Sequence, residues 1–410
     1  MKNTNYDIIT VGAGAAGLAA AISAKRNNRD LKIAILEAQS KAGKKILVTG
    51  NGRCNLTNTN VSKEFYHGSF DVSKILNRFS AEKLINFFST LGLVCDTETN
   101  GLVYPHSRQA SAVLDVLLME IKRLKIEIIC DCKVELIRKK GEFFNIKTSN
   151  GEYTAKKAVM SCGGKAFPTA GGTGLGLDVI KNLGHKITPL FPALCPIQVK
   201  SDFMKSLKGI RAKAAVTLYD GEKAIKSEIG EVQFTDYGLS GICIMQLSGL
   251  LAPGRRLRDP VVELDLFPEL SEIDLTRLLA RHAIQTASDT LAGFWTGLLN
   301  VKLGYALWEA ANMPNNRSVK QMQPLAHTAK HWRFEGLAPC GWRQAQTTGG
   351  GLALTEVEPT FQFKGCPGLY FVGETLDCAG SCGGFNLHWA FGSGLAAGRD
   401  AAKHLCSRKR

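Results

Sequence analysis

The run Tyr6-Asp7-Ile8-Ile9-Thr10-Val11, followed at once by Gly12-Ala13-Gly14-Ala15-Ala16-Gly17, constrains this chain more than any other feature. A short apolar stretch, a glycine turn and an alanine-rich stretch over residues 18–25 read as strand, turn and helix. A polar turn at residues 27–30 then leads into a second strand, residues 32–36, which ends at Glu37 and Ala38. This is a βαβ unit. Gly12 suits the tight turn, Gly14 lets backbone approach a pyrophosphate, and Gly17 permits close packing of helix on strand. Ala15 and Ala16 of the turn are further cofactor-binding candidates, and the helix that follows turns its positive end toward that pyrophosphate. Glu37, 20 residues past the last glycine, stands where a carboxylate accepts the ribose hydroxyls of an adenosine with a free 2′-hydroxyl. Dinucleotide binding follows, with FAD or NAD both open at this point and NADP disfavoured.

A chain of 410 residues exceeds what one hydrophobic core supports, so two or three domains are expected. No stretch reaches the roughly 20 uncharged apolar residues of a membrane span. The N-terminus shows no secretory pattern, and a cytoplasmic location is expected. The net charge of +15 favours anionic partners such as dinucleotides, CoA esters or nucleic acid. Yet the basic residues are dispersed (Lys44, Lys45, Lys156, Lys157, Arg255, Arg256 and the Arg408-Lys409-Arg410 tail) without aromatic interleaving, so nucleic acid is not the expected partner. The 12 cysteines read as reduced thiols. Cys130/Cys132, Cys162/Cys195 and Cys378/Cys382 lack zinc-finger or redox spacing, and no metal is expected. No nucleophile triad or carboxylate pair points to a hydrolase.

The glycine-rich, cationic, amide-rich stretch over residues 41–58 includes Lys44, Lys45, Asn51, Gly52, Arg53, Cys54 and Asn55. It resembles the GRKxLxSGGGRCNxTN signature of the BaiN-like flavoproteins, a group containing aminoacetone oxidases and bile-acid dienone reductases. Residues 234–241 resemble the family's FTHxGLSGP segment, and Ser161-Cys162-Gly163-Gly164 stands at its ATGG segment. Near the C-terminus, Gly373-Glu374-Thr375-Leu376-Asp377 and Gly383-Gly384-Phe385-Asn386-Leu387-His388-Trp389-Ala390 resemble its GExxDxxGxxGGYNLQWA pattern. The resemblance covers both ends and about two thirds of the chain. It implies an α/β fold with a discontinuous Rossmann-type FAD-binding domain, residues 1–189 and 347–410, and an inserted domain, residues 190–346, β-rich first and helical later. It further implies Val134 at the adenine, Gly163 in the second glycine turn, Asp377 at the ribityl chain, and the last helix, residues 390–404, pointing its N-terminus at the flavin. Helices are also expected over residues 78–95, 110–124, 275–288 and 298–311, and strands over 126–137 and 152–160.

Hydride transfer at FAD is the implied chemistry. A reductase would take hydride from NAD(P)H, for which the sequence holds no second dinucleotide unit, and saturate a C=C bond in a 3-oxo-4,6-diene bile acid or its CoA ester. An oxidase would act on an amine such as aminoacetone and release peroxide. A flavin-bearing sensor or RNA-associated protein is the non-catalytic alternative. His388, where the family has Gln, together with Cys378 and Tyr104, are the candidate proton donors. Cys54 has no second cysteine a few residues on, so it reads as a loop residue rather than a redox centre. Phe191, Phe294, Trp295, Tyr305 and Trp308 are expected to wall a pocket for an apolar, anionic ring system.

Overall fold

The computed structural model describes residues 4–68, 71–182, 185, 187–252, 257–286, 290–314, 322–403 and 405. Arg255, Arg256 and the Arg408-Lys409-Arg410 tail lie outside these residues, as do Ser288 and His404 at the ends of two expected helices. The chain forms two compact units, Met1–Phe191 with Gln346–Arg410, and Pro192–Ala345.

In the first unit, strands β1 (Thr4–Val11), β2 (Ile33–Leu36), β3 (Glu127–Ile129), β4 (Val134–Lys140), β5 (Phe143–Thr148) and β6 (Gly151–Met160) lie in the order β3-β2-β1-β6-β5-β4. β3, β2, β1 and β6 run parallel, whereas β4, β5 and β6 form an antiparallel meander. The end of β6 pairs in parallel with Leu369–Phe371, so the C-terminal segment supplies a strand to the sheet begun by the N-terminus. β2 is buried at every position, as a parallel strand covered on both faces must be. The fold is the expected α/β Rossmann-type arrangement.

Helix α1 (Ala15–Asn27) packs on the C-terminal helix Phe385–Lys403. A Cβ on Gly394 would lie 2.2 Å from the Ala16 carbonyl oxygen, and one on Gly398 2.1 Å from that of Ala20. Glycines four apart thus bring the two ends of the chain to backbone contact, and they fix both helix N-termini beside the same strand ends.

Two expected elements are shorter. The strand expected over residues 126–137 breaks into β3 and β4, because the chain turns at Asp131 (φ 51°) and wraps the end of β2: Glu37 N–H donates to Ile129 O and Cys132 N–H to Glu37 O, both at 2.8 Å. The helix expected over residues 78–95 is confined to Ala81–Ser89, capped by the Ser80 hydroxyl and ended before Gly92 (φ 85°).

The second unit is a closed antiparallel barrel in the order Ile197–Lys200, Gly238–Ser240, Lys223–Phe234, Arg211–Asp220, Pro260–Asp265 and Trp332–Pro339. Helices Glu272–Gln285, Leu291–Trp295, Val301–Ala310 and Met322–Lys330 are inserted before the last strand, so the chain returns to β structure after its helical part. The expected aromatic wall is a correction. Phe294, Trp295 and Trp308 are buried and stack edge to face as core, with Trp295 filling the space that a Cβ on Gly304 would occupy at 2.2 Å. Tyr305 is exposed, and Phe191 covers Gly349 in the first unit. No described helix is long and apolar enough to cross a membrane.

Candidate functional site

At the carboxyl ends of β1, β2 and β6 lies a cavity of about 1300 Å³, part of it open to solvent. In parallel α/β sheets this is where ligands bind, because the βα turns and helix N-termini converge there. Gly12 (φ 101°) sits so close to the end of β6 that a Cβ would lie 2.7 Å from Ser161 O. A Cβ on Gly17 would lie 1.9 Å from Gly12 O, so α1 rests directly on the turn. Gly14 differs. Its φ of −84° is ordinary, and a Cβ there would meet no protein atom within 4 Å. The protein's own atoms do not require glycine at this position, and the backbone there borders open space. α1 also starts without a side-chain cap and without an acid in its first turn, which leaves its positive end open to an anion.

Glu37 borders the cavity, and its two oxygens accept hydrogen bonds from Ala13 N–H (2.7 Å) and Gln39 N–H (2.8 Å). These amides aim the carboxylate and leave it acceptor capacity to spare. Ala38 and Val134 lie beside it. Lys44 donates to the Gln39 side chain at 3.0 Å, and Lys45 pairs with Glu374 at 2.5 Å. Glu374 also accepts from Thr348 N–H at 2.9 Å, so this pair ties both chain ends across the cavity rim.

On the opposite side the C-terminal helix presents Asn386, Leu387, Trp389 and Ala390. Asn386 clamps Gly380 through both its amide atoms, Nδ2 to O at 2.7 Å and Oδ1 from N–H at 2.8 Å. Gly373 (φ 65°) is held by the Ser393 hydroxyl at 2.9 Å and by Trp389 Nε1 at 3.1 Å. Cys378 faces the same cavity; burial and then the neighbouring Asp377 carboxylate push its thiol well above the ordinary range, so it stays protonated.

The model of the HI0933-like protein Rossmann domain matches residues 6–400. The chain belongs to the HI0933-like family. It is 34% identical over 402 residues to a 3-dehydro-bile acid delta(4,6)-reductase of Clostridium scindens, covering 96% of this chain and 98% of that protein. It is 27% identical over 406 residues to a ribosomal RNA dihydrouridine synthase of Escherichia coli, covering 96% and 98%. Among solved structures, 3-ketosteroid delta1-dehydrogenase from Sterolibacterium denitrificans shares the fold, with a TM-score of 0.53, 13% identity, and coverage of 98% of this chain and 100% of that one. The resemblance to BaiN-like flavoproteins read from the motifs and this HI0933-like match describe one group.

Within this HI0933-like chain the residues singled out by sequence divide into two sets. Gly12, Gly14, Ala15, Ala16, Glu37, Ala38, Lys44, Lys45, Val134, Gly163, Gly373, Glu374, Cys378, Asn386 and Leu387 line the cavity. The rest stand behind or away from it. Asn51, Gly52 and Arg53 lie exposed, the first two with left-handed backbone (φ 55° and 81°). Cys54 is fully buried, its thiol pushed up to about 12 by burial, which suits packing and not redox exchange. Asn55, with its amide oriented to satisfy its neighbours, accepts from Gly384 N–H at 3.1 Å and donates to Thr57 O at 2.9 Å, so both residues brace the start of the last helix. Asp377 is buried one residue before Cys378, where an extended chain alternates faces.

Of the three candidate proton donors, two are not at the cavity. His388 is fully buried on the face of its helix turned toward Phe79, with Nδ1 2.7 Å from the Thr57 hydroxyl. Burial lowers its pKa to about 4, so it is neutral near pH 7. Tyr104 lies half-buried under the Arg108 guanidinium, 4.8 Å from the ring centre. Sequence reasoning passed over Ser161 and Thr348. The Ser161 hydroxyl lies within hydrogen-bond distance of the Val11 and Gly12 carbonyl oxygens (2.8 and 2.9 Å), and Thr348 Oγ1 accepts from Lys165 and Ala166 N–H, so each pins one glycine turn. The Ser in place of the family's Ala at position 161 was the available signal.

Proposed function

We propose that this chain is an FAD-dependent reductase that saturates a C=C bond conjugated to a carbonyl, with a 3-oxo-4,6-diene bile acid or its CoA ester as the first substrate to test. The observation that carries the reading is the near full-length similarity to two reductive relatives of different names whose products share one chemistry. A bile-acid dienone and a uracil ring each hold a C=C polarised by a carbonyl, and each named reaction removes it.

The cavity residues fit FAD. The open space at Gly14 and the uncapped start of α1 suit a diphosphate, Glu37 suits the adenosine ribose, and the start of the C-terminal helix suits the negative charge of a reduced flavin. When bound, FAD supplies two-electron hydride chemistry, with NAD(P)H the proposed donor. The protein has to position the substrate, exclude water and supply a proton. Cys378 is the candidate donor left at the cavity, and its protonated thiol can hold a proton there.

A second substrate reading, a uridine of ribosomal RNA, is favoured by the name of the Escherichia coli relative and by the net charge of +15. It revises the expectation that nucleic acid is not a partner. The loss of the aromatic wall removes one argument for the bile acid, while the higher identity of the Clostridium scindens relative supports it. Purified protein, yellow with acid-releasable FAD, is mixed anaerobically with NADH or NADPH and either the dienone or ribosomal RNA. Bleaching of the dienone absorbance supports the first reading, and dihydrouridine in the nuclease digest supports the second. Neither, with peroxide formed from aminoacetone in air, would hand the protein to the amine oxidases.

A further inference from the structure

The second unit carries a cluster that the reductase reading does not use. The helix Met322–Lys330 bears His327, and His331 N–H continues the helical turn by donating to His327 O at 2.9 Å. Two imidazoles four residues apart therefore share one face. Glu272, the first residue of the helix Glu272–Gln285, reaches that face: its Oε2 lies 3.1 Å from His327 Nδ1 and 3.8 Å from His331 Nε2. All three ligand atoms lie within 4.8 Å of one another.

We propose that Glu272, His327 and His331 form a zinc site that clips the helix Glu272–Gln285 to the helix Met322–Lys330, with water as fourth ligand. Zinc bonds of about 2.0–2.1 Å in a tetrahedron separate neighbouring ligand atoms by about 3.3 Å, and the two carboxylate–imidazole distances bracket that value. The outer shell is also in place. His331 Nδ1 lies 3.1 Å from Glu263 Oε1, a buried carboxylate on the barrel strand that Arg333 Nε holds at 2.8 Å. A carboxylate on the far ring nitrogen fixes the tautomer that presents Nε2 to a metal. Gln323 Nε2 donates to Glu272 Oε1 at 3.2 Å, leaving Oε2 as the free ligand atom. Two imidazoles, ligands of borderline softness, beside one carboxylate suit Zn²⁺ over the all-oxygen-seeking Mg²⁺ and Ca²⁺. The side chains are 60%, 43% and 32% exposed for His327, His331 and Glu272, so an ion can enter.

The test uses the full-length flavoprotein stripped with chelator and titrated with zinc chloride by calorimetry, with the melting temperature followed in parallel. One saturable equivalent is expected, with a rise in melting temperature that Mg²⁺ does not reproduce. His327→Gln with His331→Gln should weaken that equivalent at least 100-fold, and Glu263→Gln by about tenfold through the ring it orients. The His327 and His331 side chains are exposed, and circular dichroism checks that the fold persists in all the variants, the buried Glu263→Gln above all. No saturable binding in the parent, or equal binding in the double variant, which would place the metal on thiols, overturns the site.

Discussion

Glycines of the barrel and Gly14 at the cavity of the first unit stand in opposite surroundings. In the barrel, Gly241 (φ 108°) opens the helix Ile242–Ser248 where a Cβ would lie 2.1 Å from Glu231 O, and Gly304 leaves room for Trp295. These glycines are required by the protein's own atoms. At the cavity of the first unit, Gly14 has an ordinary φ of −84° and faces space in which no protein atom lies within 4 Å. A glycine required by packing and one with open space beside it look alike in a sequence; the volume around them tells them apart. The comparison therefore separates folding from binding, and substitution can test it on each side.

The largest effect is expected at Gly241→Ala. A left-handed backbone costs a non-glycine residue about 1–2 kcal/mol, and the collision with Glu231 O adds to it, so about 4 kcal/mol of stability should be lost. Urea denaturation measures this, and an unchanged midpoint would break the packing half of the comparison.

Next comes a pH effect in the first unit. The pKa of His388 is near 4 folded and about 6.5 unfolded, so the unfolded chain binds the proton more tightly. Its contribution is fully present above pH 6.5 and is lost as pH falls to 4, by about 3 kcal/mol in total. His388→Gln should flatten the stability profile between those pH values relative to the parent. Equal slopes in the two proteins would mean that the ring titrates in contact with water.

A smaller loss is expected for Glu37→Ala, which removes acceptors worth about 1.5–3 kcal/mol per charge-assisted hydrogen bond. Fluorescence titration of the apoprotein with FAD should show weakened affinity in a chain that still folds. Retention of parental affinity would place the ribose elsewhere.

The smallest effect on folding, and the sharpest contrast with Gly241, belongs to Gly14→Ala. Its apoprotein should melt within about 0.5 kcal/mol of the parent, since the added methyl meets open space. FAD affinity should nevertheless fall at least tenfold. Destabilised apoprotein with unaltered FAD binding would reverse the assignment of this glycine.

The cavity's two motif-bearing ends were legible because glycine turns and strand-ending acids act locally, within a few residues of chain. Local chemistry is why Gly12, Glu37, Glu374 and Leu387 could be picked out in order along the sequence, and they do border one cavity. His388 shows the limit. Its place beside Asn386 and Leu387 made it a candidate acid, but one residue of helix rotation, about 100°, turns it from the cavity into the core against Phe79. Aromatic residues in the inserted part failed for the same reason: composition gives an apolar side chain, and only packing decides whether it lines a pocket or fills a core. The zinc cluster is half legible, since His327 and His331 carry the spacing, while Glu272 and Glu263 lie 55 and 68 residues away from their partners.

What the sequence determined by itself is the βαβ unit, the family and the alternation of elements, all of which rest on interactions a few residues long. Tertiary structure alone decided that Leu369–Phe371 completes the sheet begun at Thr4, that Gly394 and Gly398 bring the last helix against α1, and that Lys45 meets Glu374 across 329 residues. Such contacts depend on where a folded sheet and two packed helices bring distant backbone together, and no local spacing encodes that distance.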